Sequence, residues 1–243
     1  MILMKSFFYT QCFFILIMVV GILGQRFGVL PLKVALGTFA IALMLALVVS
    51  VMALVFFILS FVSLPTSMRF PALAAFSMGM LPVLSIIMMA GPGLKVPQIH
   101  DISTDLENNI AFSNAQRLRK AGENSLERPS NKVLELQAGY YTALEPLVVV
   151  QSPPEAYAIA LEAAKSLSWT IEHEAPEAGT FEATEKTRLF AFVDDVVVRV
   201  SAIEQGSVID TRSVSRVGKS DLGANAKRIE AFQAAYQALA DKR

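Results

Sequence analysis

The first 90 residues hold four basic side chains, Lys5, Arg26, Lys33 and Arg69, and no aspartate or glutamate. Around those cations lie three apolar runs, from Ser6 to Gly24, Val34 to Val62 and Phe70 to Ala90. A helix of about 20 apolar residues crosses the hydrocarbon core of a bilayer, and each run reaches that length. A lipid-exposed segment must satisfy its own backbone polar groups, so each run has to be helical. The sequence therefore predicts a three-helix membrane anchor over residues 1–93, with helices at about 6–24, 34–62 and 70–90. The second run is longer than required and predicts a tilted helix. Pro82 falls inside the third, where a membrane helix tolerates a kink.

Gly21-Ile22-Leu23-Gly24-Gln25 is a poor small-x-small cleavage site, so the first run is expected to stay in place as anchor. Cys12, the single cysteine, lies within it and excludes an intrachain disulfide. Tyr9-Thr10-Gln11 before it lacks a lipoprotein pattern, and Cys12 reads as a small buried hydrophobe. No ionisable side chain sits inside the runs beyond Lys5 at an edge, which argues against a transport path or proton relay.

Charge divides the chain at the same place. The other 17 basic residues and all 21 acidic ones follow residue 90, so the anchor carries +4 and the remainder −4. A domain without basic excess is not expected to bind nucleic acid. Three spans place the termini on opposite sides. Loop charges barely choose between orientations; with Lys5 inside, the C-terminal domain faces the periplasm.

Gly91-Pro92-Gly93 ends the anchor. Residues 94–145 carry scattered prolines and little periodicity. They read as an irregular linker wrapped on the following domain, with a short helix near Asn114–Ala121. From residue 146 the pattern sharpens. Leu147–Val150 reads as a strand. Ser152-Pro153-Pro154-Glu155 opens a helix whose apolar stripe is Tyr157, Leu161, Ala164 and Leu167. Trp169–His173, Thr180–Phe190, Asp195–Ile203 and Ser207–Arg216 read as strands. Asp221 caps a final helix to Ala240, burying Leu222, Ile229, Phe232, Tyr236 and Leu239. The order β-α-β-β-β-β-α predicts an antiparallel sheet with two helices on one face, in an α+β domain over 146–243 that folds alone. The arrangement looks like the TATA-binding-protein-like or helix-grip folds, which carry no function by themselves.

Three stretches bear a family resemblance: Ile99–Asp105, Thr187–Val200 and, most distinctively, Arg212-Ser213-Val214-Ser215-Arg216-Val217-Gly218-Lys219-Ser220-Asp221-Leu222-Gly223-Ala224-Asn225-Ala226. Over about residues 95–240 the chain resembles the bacterial domain-of-unknown-function family 1499, and Arg26–Leu32 looks like the loop that its membrane-attached members share. It departs from the pattern at Asn108-Asn109-Ile110, where a proline pair is expected, and at Ala191, where glycine is usual. The resemblance implies a membrane-attached bacterial protein and brings no activity, cofactor or catalytic residue.

The residues themselves offer little chemistry. His100-Asp101 begins a metal-type pairing, but the chain has two histidines and zinc takes three or four ligands; no metal or cofactor site is expected. Gly218-Lys219-Ser220 ends like a phosphate loop, yet Ser213 stands where the first glycine belongs. Ser213, Ser215 and Ser220 have no histidine placed to activate them. Alternation puts Glu182, Thr184, Lys186 and Arg188 on one face of a strand, Asp195 and Arg199 on a face of the next, and Asp210 and Arg212 on a face of the last. The opposite face, with Val196, Val198 and Val200, is the core. The charged face reads either as cross-strand ion pairs on a wet sheet or as an open platform for a ligand or partner. The turn Arg216–Asp221 places Arg216, Lys219 and Ser220 at a helix N-terminus, where anions such as lipid headgroups are favoured unless Asp221 fills that role.

The expectation is thus a non-enzymatic, membrane-anchored binding or scaffold protein of the bacterial inner membrane. Its candidate binding residues are Arg188, Asp195, Arg199, Arg212, Arg216, Lys219 and Ser220. Its expected partners are the bilayer, another membrane or periplasmic protein, and anionic headgroups. The alternative is a hydrolase or transferase acting on an envelope component through the charged face.

Overall fold

The computed structural model describes residues 2–243 and separates into two compact units. The first extends to Pro92 and takes in residues 188–191; the second comprises 93–187 and 192–243.

In the first unit, α1 spans Ile2–Arg26, α2 Leu32–Leu59 and α3 Arg69–Ala90. All three are long and apolar enough to cross a membrane. In a bilayer, burial gains apolar side chains nothing, and helices of this kind associate through small residues and polar contacts. Ala35, Ala42, Ala46, Ser50 and Ala53 form a buried stripe on α2, matched by Ala72, Ala75 and Gly79 on α3. Gln11 of α1 is fully buried, and its Nε2 donates to the Ala46 carbonyl (3.0 Å) and to Ser50 Oγ (2.9 Å). Gly79 sits against this pair: a β-carbon there would collide with Ser50 Oγ and Gln11 Nε2.

In the second unit the strands are β1 Asp101–Ser103, β2 Leu147–Val149, β3 Thr170–Ala175, β4 Thr180–Lys186, β5 Val193–Ile203 and β6 Gly206–Ser215. They form one antiparallel sheet in the order β1-β6-β5-β4-β3, and β2 pairs with β6 beside β1. The helices are α4 Ala115–Leu118, α5 Asn131–Tyr140, α6 Pro153–Ser166 and α7 Ala224–Ala240. The Glu155 carboxylate accepts from Ser152 N and Oγ at the start of α6. Tyr157 and Ala160 of α6 and Phe232 and Tyr236 of α7 pack on Phe181, Ala183, Val196, Val198 and Ile209, one face of the sheet. Trp169 stacks on Phe232 at 5.3 Å.

Several boundaries differ from the sequence expectation. β4 ends at Lys186 and not at Phe190, so Arg188 lies in the following turn and not on the strand. Ala191 in that turn has φ +49°, the left-handed conformation natural to the glycine usual there. Segment 94–145 supplies α4 within the short helix expected near Asn114–Ala121, and also β1 and α5, where irregular chain was expected. Leu222, assigned to the buried face of the last helix, instead precedes it with φ +54° and is exposed.

Candidate functional site

Most of the charged face of the sheet is covered. Residues 104–130 cross it, and Ile110, Phe112, Ala115 and Leu126 pack on Val197 and Val214. Under this cover every charge finds a partner within the protein, as buried charges must. Arg212, 1% exposed, is held bidentately by Asp101 (Nε to Oδ1 2.9 Å, Nη2 to Oδ2 2.6 Å). It also donates to Asn109 Oδ1 and to the carbonyls of Ile110, Leu126 and Glu127. Asn109, where the resemblance leads one to expect proline, is thus a ligand of this guanidinium.

Asp195, fully buried, accepts from Arg119 Nε (2.8 Å) and Arg216 Nη2 (2.7 Å). Glu182 accepts from the backbone of Ser113, Asn114 and Ala115 and from Ser113 Oγ (2.6 Å). Burial alone would raise its pKa, but these donors outweigh it and hold the carboxyl below its ordinary value. Asp195, Arg212 and Arg216 therefore have their charges committed inside the fold.

Arg199 differs. Its side chain is 25% exposed. Nη2 bridges Asp105 Oδ2 and Asp210 Oδ2, both at 2.8 Å, and Nε donates to Asp210 at 3.2 Å. Burial opposes the charge on Arg199, yet the two carboxylates prevail and raise its pKa further. Asp105 is likewise pushed up by burial but held low overall by the backbone N–H groups of Asn108 and Glu107 and by Arg199. Arg199 is the register partner of Asp210, as Ser201 is of Val208. These four line an open groove of about 610 Å³, walled by the 104–108 loop and by residues 138–146. This is the end of the charged face that the crossing segment leaves uncovered. Tyr141 lines it too; its hydroxyl has no partner among the described residues, and burial and then Asp221 push its pKa up to about 12.

The turn before α7 is organised around its own carboxylate. Asp221 accepts from the N–H groups of Gly223 and Asn225, both at 2.8 Å, and Ser220 Oγ accepts from Leu222 N. Lys219 is exposed and borders a separate cavity of about 320 Å³ with Gln98, His100 and Arg128. Arg188 belongs with the first unit, where Arg26 Nη1 donates to its carbonyl (2.7 Å). The seven candidate side chains therefore do not converge on one site.

A polar cluster on the helix face has no counterpart in the sequence reading. Arg228 of α7 meets Asp194 (Nη2 to Oδ2 2.6 Å), Glu185, Ser213 and Asn225. Burial raises the pKa of Asp194, and Arg228 offsets only part of that. Asn225 joins β6 to β1 through the His100 carbonyl and Ser215 Oγ. The one available signal was that Ser213, Ser215, Asn225 and Arg228 all fall within or beside the distinctive 212–226 motif. Among the described residues, no group of three or more His, Cys, Asp or Glu side chains is placed to hold a metal ion.

Compared with known proteins, the chain matches one family model, described as "Protein of unknown function (DUF1499)", over residues 101–236. No curated protein matches it.

Proposed function

The chain belongs to the DUF1499 family of proteins of unknown function, and from its own geometry we propose that it is a membrane-anchored binding protein of the bacterial cell envelope. Its three apolar helices hold it in the inner membrane, and the groove beside Arg199 receives its ligand. One observation carries this reading. Of the charged side chains on the sheet face, Asp195 and Arg212 are buried and saturated, while Arg199 is fixed by two carboxylates on the floor of an open groove. A volume of about 610 Å³ lies within the roughly 300–1,000 Å³ typical of small-ligand pockets. Rigid, prepaired groups suit recognition, because little ordering remains to be done on binding.

The same facts favour binding over hydrolysis or transfer. A general base works best with a pKa near the operating pH, whereas the Asp105 carboxyl beside Arg199 is held below its ordinary value. With Lys5 inside and three spans, the domain faces the periplasm; an alkaline phosphatase fused after Arg243 is expected to be active, and a fusion active only as a cytoplasmic reporter contradicts this orientation. Purification of the full chain from detergent-solubilised membranes, compared with Ser201→Trp, tests the binding site. A lipid, glycan or protein that accompanies the parent and not the variant supports it; identical inventories sink it.

A further inference from the structure

The ligand class follows from what the groove leaves unsatisfied. A guanidinium has five N–H donors. In Arg199, Nε and Nη2 are engaged by Asp105 and Asp210, whereas Nη1 has no partner among the described residues. Asp210 receives both of its bonds from Arg199 on Oδ2, leaving Oδ1 without a donor among the described residues. An unused donor and an unused acceptor thus sit on directly paired residues of adjacent strands. The charges of Arg199 and Asp105 persist at neutral pH, since the Arg199 pKa is raised and the Asp105 pKa lowered.

Charge narrows the choice. An anion would find the cation already compensated by two carboxylates, with Glu107 and Glu145 adding negative charge to the lining. A cation would meet the guanidinium at the floor. A hydroxyl both donates and accepts, so neighbouring hydroxyls on one ligand can satisfy Nη1 and Oδ1 together at no net charge. Ser201 and Thr142 line the groove and offer further hydroxyl partners, while Leu144, Pro146 and Val208 offer apolar surface for the C–H faces of a ring. We infer that the groove takes an uncharged, polyhydroxylated ligand of the saccharide class, an inference that rests on the groove being the binding site. Both a free oligosaccharide and a sugar segment of a larger envelope polymer present this chemistry.

The test uses the full chain in a detergent whose headgroup contains no sugar. Isothermal titration calorimetry is run with maltotetraose and with N-acetylchitotetraose, the second standing for amide-bearing polymer segments. Spermidine and inorganic phosphate serve as the cation and anion probes. Arg199→Gln removes the guanidinium and its charge; Ser201→Trp fills the groove without altering Asp105, Arg199 or Asp210, and guards against misreading a folding defect. At least one saccharide is expected to bind, with affinity falling at least tenfold in Ser201→Trp while that variant melts like the parent. Preference for one of the two sugars then separates the sources. If spermidine or phosphate binds with the same sensitivity to Ser201→Trp and neither saccharide does, the ligand class is wrong and the groove stands. If no probe binds, or none responds to Ser201→Trp, the inference and the groove reading fall together.

Discussion

Asp101 and Arg212 are separated by 111 residues and meet as a bidentate pair at 2.6 and 2.9 Å, with the guanidinium 1% exposed. The pair joins β1 to β6 and pins the segment that covers the sheet. Breaking one side of a buried ion pair leaves the other charge uncompensated, at a cost of about 3–5 kcal/mol. Asp101→Asn is therefore expected to destabilise the domain by that amount. Trp169, the single tryptophan, lies in the core and reports unfolding in denaturant by its fluorescence. An unchanged midpoint would show that the pair is dispensable.

Acid should loosen the cover before the core. Glu182 and Asp105 both have folded-state pKa values below their ordinary ones. Their contribution to stability is complete above the unfolded values near pH 4 and is lost as pH falls through the lower folded values. Asp194 has the opposite sign: its raised pKa makes its ionised form a cost that protonation relieves. Hydrogen exchange, corrected for intrinsic rates, should show residues 104–130 losing protection below about pH 4 while β5 stays protected. Glu182→Gln should flatten that dependence. Uniform protection down to pH 3 contradicts it.

The turn before α7 needs a glycine more than a cation. Gly218 has φ +94°, where a β-branched residue is strained by about 1–2 kcal/mol or more. Gly218→Val should lower the stability of the domain by at least that much. Lys219 is exposed, and Lys219→Ala should stay within about 0.5 kcal/mol. Both are read from the Trp169 transition, and a larger effect at Lys219 than at Gly218 would reverse this account of the turn.

Within the anchor, Gly79 is where α3 meets the Gln11–Ser50 contact. Gly79→Leu has no room and should separate the helices. Gln11→Leu removes hydrogen bonds worth about 0.6–2 kcal/mol each in a membrane and should act more mildly. Cys12 is partly buried and is the sole thiol, so its maleimide labelling rate in micelles measures the packing. Labelling should rise strongly in Gly79→Leu and modestly in Gln11→Leu; equal rates in all three proteins refute the arrangement.

How much of this was legible follows from the range of each signal. The three apolar helices were readable because uninterrupted apolar length is a local property. The α6 and α7 stripes and the Val196–Val200 alternation were readable for the same reason. The cover was not, since its contacts come from isolated residues, Ile110, Phe112, Ala115 and Leu126, at irregular spacing. β1 is three residues long, and its pairing depends on β6 more than 100 residues away. Charge alternation located the Asp195, Arg199 and Arg212 face correctly, but only tertiary structure decides which part of it stays open. The 212–226 motif turns out to carry fold-building contacts: Arg212 to Asp101, Arg216 to Asp195, Asn225 to Ser213, and Asp221 to the start of α7.

The central claim is that the Arg199 groove, and not the turn at Lys219, is where this protein meets its ligand. Photo-cross-linking in living cells tests it directly, with a benzophenone side chain placed at position 201 in one strain and at position 219 in another. The account predicts a discrete adduct from position 201 that disappears with Arg199→Gln, and none from position 219. Adducts from 219 with none from 201 would contradict it.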